Sequence, residues 1–153
     1  MQGEVNRLVG PFVGQTGGLM RALHALCDRD GYIDAAAIPE IADAFNLSKA
    51  EVKGVISFYT DFRRAPAGRH IVKICQAEAC QAVGSRSLTD KALKTLDIGL
   101  GDTTTDGSVT IEPVYCLGLC ASGPAAQVDG TLRAGLDADD FASELQVLAE
   151  QGA

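Results

Sequence analysis

Ile71-Val72-Lys73-Ile74 runs directly into Cys75-Gln76-Ala77-Glu78-Ala79-Cys80, and Val109-Thr110-Ile111-Glu112-Pro113-Val114-Tyr115 runs into Cys116-Leu117-Gly118-Leu119-Cys120. In both places a short β-branched run reads as a strand and delivers a tight cysteine pair at its end. These pairs account for four of the five cysteines in the chain. A fold that brings them together makes a four-sulfur site. A Cys-x4-Cys followed by a Cys-x3-Cys suits a binuclear iron–sulfur core better than a disulfide or a zinc ion, because longer loops can wrap a core larger than one ion. Zinc sites also use spacings of two to four residues, so a structural zinc module stays open as a reading of another class. The arrangement differs from the plant-type ferredoxin spacing, and that fold is not implied. The Cys-x-x-Cys of a thioredoxin-type redox enzyme is absent.

The bulk properties are those of a soluble globular protein. The chain has 153 residues, 46% apolar and 22% charged, with a formal net charge of -7. Such an acidic chain is a poor ligand for a nucleic-acid backbone or an anionic membrane. No run approaches the ~20 apolar residues of a membrane span. The start, Met1-Gln2-Gly3-Glu4-Val5-Asn6-Arg7, lacks the basic and apolar regions of a secretory signal. We therefore expect a cytoplasmic, reducing compartment, where clustered cysteines bind metal or act in catalysis more often than they form disulfides.

Outward from the cysteines, the pattern divides the chain. The first ~15 residues hold three glycines and a proline, and predict a loose or extended arm. Leu19, Leu23, Leu26 and Cys27 then share a helical face that Asp30-Gly31 ends. Pro39 opens a second helix, with Ile41, Ala42, Ala44 and Phe45, and Asn46 closes it. Ser48-Lys49-Ala50-Glu51 is a capping box for a third helix with Val52, Val55, Ile56 and Tyr59 as its apolar stripe. Residues 16 to 62 thus predict a three-helix unit. Residues 63–68, with Pro66 and Gly68, read as a linker. Beyond it come the Cys75 strand, a helix over 85–96, a polar turn-rich stretch from Gly99 to Gly107, the Cys116 strand, a hairpin turning at Asp129-Gly130, and a last helix capped by Asp137.

Other residues of chemical interest have plainer explanations. Cys27 aligns with Leu19 and Leu23 and reads as a small buried apolar side chain. His24 reads as a helix-flank residue and His70 as a strand-edge residue. Asp137, Asp139 and Asp140 read as N-terminal capping rather than a cation site. Gly84, Gly118 and Gly123 allow close backbone approach to sulfur. A four-thiolate binuclear site has a formal charge of about -2, or about -3 when reduced. N–H dipoles, or a cation such as Arg86, can offset that charge, although Arg86 reads more simply as a solvated helix residue. Phe58, Tyr59 and Phe62 are candidates either for a surface contact or for ordinary packing.

The string from Cys75 to Cys80, together with Cys116-Leu-Gly-Leu-Cys120-Ala-Ser-Gly-Pro-Ala, resembles the thioredoxin-like ferredoxin subunits of NADH-linked redox complexes. Gly31-Tyr32-Ile33 and Val55-Ile56-Ser57-Phe58-Tyr59 resemble the helical region of the same family. The likeness extends from about Leu19 to Leu148. It implies an α/β fold: a helical bundle over residues 1–66 followed by a thioredoxin-like 2Fe–2S domain over 67–153. It also implies that Cys75, Cys80, Cys116 and Cys120 ligate one 2Fe–2S cluster, the first pair on one iron and the second pair on the other. Within the family, Pro66 to His70 and the loop Gln76-Ala77-Glu78-Ala79 look most like the gamma subunit of soluble NAD-dependent formate dehydrogenases. The matching subunits of complex I and of NAD-reducing hydrogenases are the alternatives. The resemblance implies a flavoprotein partner binding FMN and NAD, a molybdenum-containing catalytic partner, and no catalytic residue on this chain.

Overall fold

The structure is a computed structural model; it describes residues 2–151, Gln2 by its backbone alone. Two compact units divide at Pro66 and Ala67. In the first unit, α1 (Gln2–Val9), α2 (Gly18–Asp30), α3 (Ile38–Phe45) and α4 (Lys49–Phe58) surround one apolar core, with 3-10 turns at Gly10–Phe12 and Ala35–Ala37. The helix ends follow the local chemistry. Gly31, at φ 78°, closes α2, and Asn46, at φ 53°, closes α3. The Ser48 hydroxyl accepts from the Glu51 N–H while the Glu51 carboxylate accepts from the Ser48 N–H, a complete capping box. Leu23, Ile41 and Val52 are fully buried, each contributing about 1.5–3 kcal/mol through area removed from water.

Three expectations for this unit are corrected. The N-terminal stretch is a helix followed by a 3-10 turn rather than a loose arm, apart from Met1, which lies outside the described residues. Its glycines sit near the ends, and Val5, Leu8 and Val9 make an i, i+3, i+4 stripe that packs α1 on α2 and α3. Composition suggested looseness, and the apolar period outweighed it. The bundle therefore has α1 in addition to the three expected helices. Tyr59 lies just past the end of α4 and is exposed, so it does not extend the buried stripe, whereas Phe62 is buried in the helical core.

The second unit is a four-stranded sheet in the order β2-β1-β3-β4, formed by β1 (His70–Cys75), β2 (Val109–Val114), β3 (Ala125–Val128) and β4 (Thr131–Ala134). β1 runs parallel to β2, and β3 is antiparallel to both β1 and β4. Parallel neighbours need a crossover, supplied here by α5 (Glu78–Ala82) and α6 (Ser85–Leu96); α7 (Ala138–Glu150) follows the sheet. Val72 and Ile74 of β1, Val109 and Ile111 of β2, and Ala126 and Val128 of β3 pack with Leu88 and Ala92 of α6 and Phe141 and Leu145 of α7. The period of two along each strand places these side chains on one face. Asp129 and Gly130 both have positive φ, 47° and 82°, as the two-residue hairpin requires. Asp137 accepts from the N–H groups of Asp139 and Asp140 at the start of α7. At the other end of the unit, the Gly68 N–H donates to Thr110 Oγ1 at 2.6 Å, tying the end of the linker to β2.

Candidate metal centre

The parallel register decides where the cysteines meet. Cys75 pairs with Val114, two residues before Cys116. Ile74 pairs with Ala126, so β3 begins at the same end of the sheet. Cys75, Cys80 and Ala125 form a small buried cluster with Ala77, Val114, Leu117 and Leu119 packed against it. Leu117 and Leu119 thus cover Cys75 and Cys80 with apolar side chains.

The two pairs differ in exposure. Cys75 and Cys80 are each 1% exposed, whereas Cys116 and Cys120 are exposed. Cys80 sits on the short helix α5, where the sequence predicts only a loop; a single five-residue turn is too short to show an apolar period. Cys116 Sγ and Cys120 Sγ are 3.7 Å apart. Cys116 adopts φ 124°, and the Gly118 N–H donates to its sulfur at 3.3 Å. Burial first, then a hydrogen bond with the Cys75 thiol and the nearness of Cys120, push the Cys80 thiol above its ordinary range. For Cys120 the hydrogen bond with Cys116 leads the upward shift, and Cys75 adds to it. Cys120 is thus felt at Cys80, and Cys75 at Cys120, so the buried pair and the exposed pair lie within electrostatic reach of each other. Neighbouring thiols that resist losing their protons are stabilised as thiolates by a bound cation.

Residues from other elements support this arrangement. The Ala125 N–H donates to the Cys80 sulfur and pulls its pKa down, against the burial. The fully buried Ser85 hydroxyl donates to the Cys75 carbonyl. Gln76 Nε2 donates to Thr89 Oγ1 at 2.9 Å, and Thr89 Oγ1 donates to the Ser85 carbonyl at 2.8 Å. Arg86 donates to Gln81 Oε1 at 2.7 Å, one residue past Cys80. A Cβ on Gly123 would stand 3.3 Å from Cys80 Sγ, so this glycine does pack against sulfur. Gly84 does not serve sulfur: its N–H goes to the Gln81 carbonyl.

The remaining candidates lie elsewhere in their units. His70 Nδ1 meets Asp129 Oδ2 at 2.7 Å, at the end of β1 opposite Cys75. Burial raises the Asp129 carboxyl, but hydrogen bonds from His70 and the Ile71 N–H outweigh it and hold the group below its ordinary value. Cys27 is half-buried against the helical core. His24 meets the Phe62 ring edge-on, with centroids 5.0 Å apart.

The donor set is four thiols in two pairs, one buried and one exposed. It fits a two-iron core, which asks for two thiolates on each iron.

Comparison with known proteins points the same way. One subunit of the NADH-quinone oxidoreductase of Pseudomonas aeruginosa is 35% identical over 127 residues, 83% of this chain and 76% of that protein. A subunit of the Mycobacterium tuberculosis NADH-quinone oxidoreductase is 31% identical over 126 residues, 82% of this chain but only 50% of its own length. Among solved structures, an NAD+-reducing [NiFe]-hydrogenase in the air-oxidized state superposes with a TM-score of 0.70 at 27% identity, covering 88% of this chain and 23% of that one. No helix among the described residues is long and apolar enough to cross a membrane. Residues 5–149 match the model of one family across both units, cysteine pairs included. The chain belongs to the thioredoxin-like [2Fe-2S] ferredoxin family.

Proposed function

We propose that this chain is the electron-transfer subunit of a cytoplasmic, NAD-linked oxidoreductase complex, holding one 2Fe–2S cluster through Cys75, Cys80, Cys116 and Cys120. The observation behind this reading is the shared sheet end that presents one buried and one exposed cysteine pair. A bound cluster supplies reversible one-electron transfer. The chain's own residues do the rest. The Gly118 and Ala125 N–H groups offset thiolate charge. Ser85 and Thr89 fix the backbone at Cys75. The exposed Cys116 and Cys120, beside Tyr115 at 75% exposure, leave a short path for a partner's redox centre.

Formate dehydrogenase is the parent complex we propose, on the strength of Pro66 to His70 and the Gln76-Ala77-Glu78-Ala79 loop. The neighbour is then a flavoprotein subunit with FMN and NAD, and formate is oxidised on a separate molybdenum subunit. The second reading, a subunit of a complex I-type enzyme or an NAD-reducing hydrogenase, draws on the names of the relatives. Purification of the tagged chain from its host separates the two. Recovery of a flavoprotein and a molybdenum subunit with formate-dependent NAD reduction supports the first. Recovery of a quinone-reducing or [NiFe] enzyme selects the second.

A further inference from the structure

Gly54 lies in the interior of α4, where glycine is less favourable than alanine because it loses more backbone freedom on folding. Nothing inside the chain calls for it. A Cβ at this position would meet no atom within 4 Å, and the backbone is not left-handed. Helical spacing puts Gly54, Ser57 and Phe58 on one face, and Gly54 and Ser57 open one side of a cavity of about 370 Å³. Ile33, Ile38 and Ile56 make its wall apolar. Phe58, 77% exposed, stands one turn beyond Gly54 and meets Tyr59 edge-on at 5.0 Å. Lys53 and Arg64 also line the cavity, and neither has an ion-pair or hydrogen-bond partner among the described residues. Two unpaired cations beside an apolar recess, on a chain of net charge -7, select an occupant that is apolar and locally acidic.

We propose that this groove on α4 docks an acidic amphipathic segment of the flavoprotein subunit, one apolar side chain entering the cavity and a carboxylate meeting Lys53 and Arg64. This inference rests on the NAD-linked complex reading and adds the surface that holds the partner. The apolar anchor supplies affinity, the cations set register and encounter rate, and glycine at position 54 leaves room for the anchor.

The test measures binding of the full-length, cluster-loaded chain to the purified flavoprotein subunit of the same complex, at low and high salt. Gly54→Leu and the doubly reversed Lys53→Glu, Arg64→Glu variant are expected to bind about tenfold or more weakly, with unchanged visible absorption and far-UV circular dichroism. Wild-type binding is expected to weaken as salt rises. Gly54→Ala is expected to melt no lower than wild type. If Gly54→Leu loses helicity, the charge-reversed variant, altered only at unpaired positions, decides. Wild-type affinity in both variants overturns the docking site and leaves the electron-transfer reading intact. A wild-type chain with its cluster that does not bind the flavoprotein overturns both the partner and the parent complex. A self-association broken by Gly54→Leu, with flavoprotein binding unaffected, assigns the groove to a second copy and also overturns the proposal.

Discussion

Cys116 holds φ at 124°, a region that costs a residue other than glycine about 1–3 kcal/mol. The geometry aims its sulfur at the Gly118 N–H and leaves it 3.7 Å from that of Cys120. Serine at this position keeps the backbone but loses the soft thiolate, so Cys116→Ser is expected to bleach or abolish the visible chromophore. Cys27→Ala is expected to leave that spectrum unchanged, because Cys27 packs against the helical core; bleaching would contradict the ligand set. Ser85→Ala removes the buried donor to the Cys75 carbonyl, an expected loss of about 1–3 kcal/mol measurable by denaturant unfolding. The spacing of the cysteines made them visible in the sequence. Ser85, Thr89 and Ala125 were not, because each comes from another element and reaches the site only through strand register and helix packing. Arg86 shows the same limit: its partner Gln81 is five residues away, and nothing in the sequence distinguishes that bond from solvation.

Elements with strong end chemistry were legible. Pro39 and Asn46 around α3, the Ser48–Glu51 box of α4, and Asp129-Gly130 in the hairpin each name a backbone geometry that few other residues supply. α1 was misread because three glycines and a proline outweighed its apolar stripe, and α5 because one turn carries no period. The stretch before β2 offers a direct test of element chemistry. Asp106 accepts from Thr104 Oγ1, the Ser108 hydroxyl and the Ser108 N–H. Its carboxyl is held down to about 2, chiefly by Thr104 and then by Ser108. The folded value lies below the ordinary 3.8, so the contribution to stability is fully present above about pH 4 and is lost as pH falls through about 2. Thermal melts of Asp106→Asn should lie below wild type at neutral pH, and the gap should close over that acid window. A gap independent of pH would contradict the assignment.

At the scale of the molecule, the helical unit and the sheet unit each bury a core of their own. The helical core runs from Val5 to Phe62, and the sheet core from Val72 to Leu145. Leu23→Ala should therefore cost about 2–5 kcal/mol, read by denaturant unfolding of the helices, while the visible spectrum of the folded protein stays unchanged. The change of apolar period after residue 68 made the two kinds of structure legible in the sequence. What it could not supply is the asymmetry of the metal centre, because burial of Cys75 and Cys80 depends on β3 and on Leu117 and Leu119 closing over them. The central claim is that the two cysteine pairs hold a single binuclear cluster. Its most direct test is metal and sulfide analysis of the anaerobically purified chain, with visible absorption of the same sample. A single binuclear cluster gives a red-brown protein with about two iron and two sulfide per chain. A colourless protein carrying zinc and no iron would contradict it.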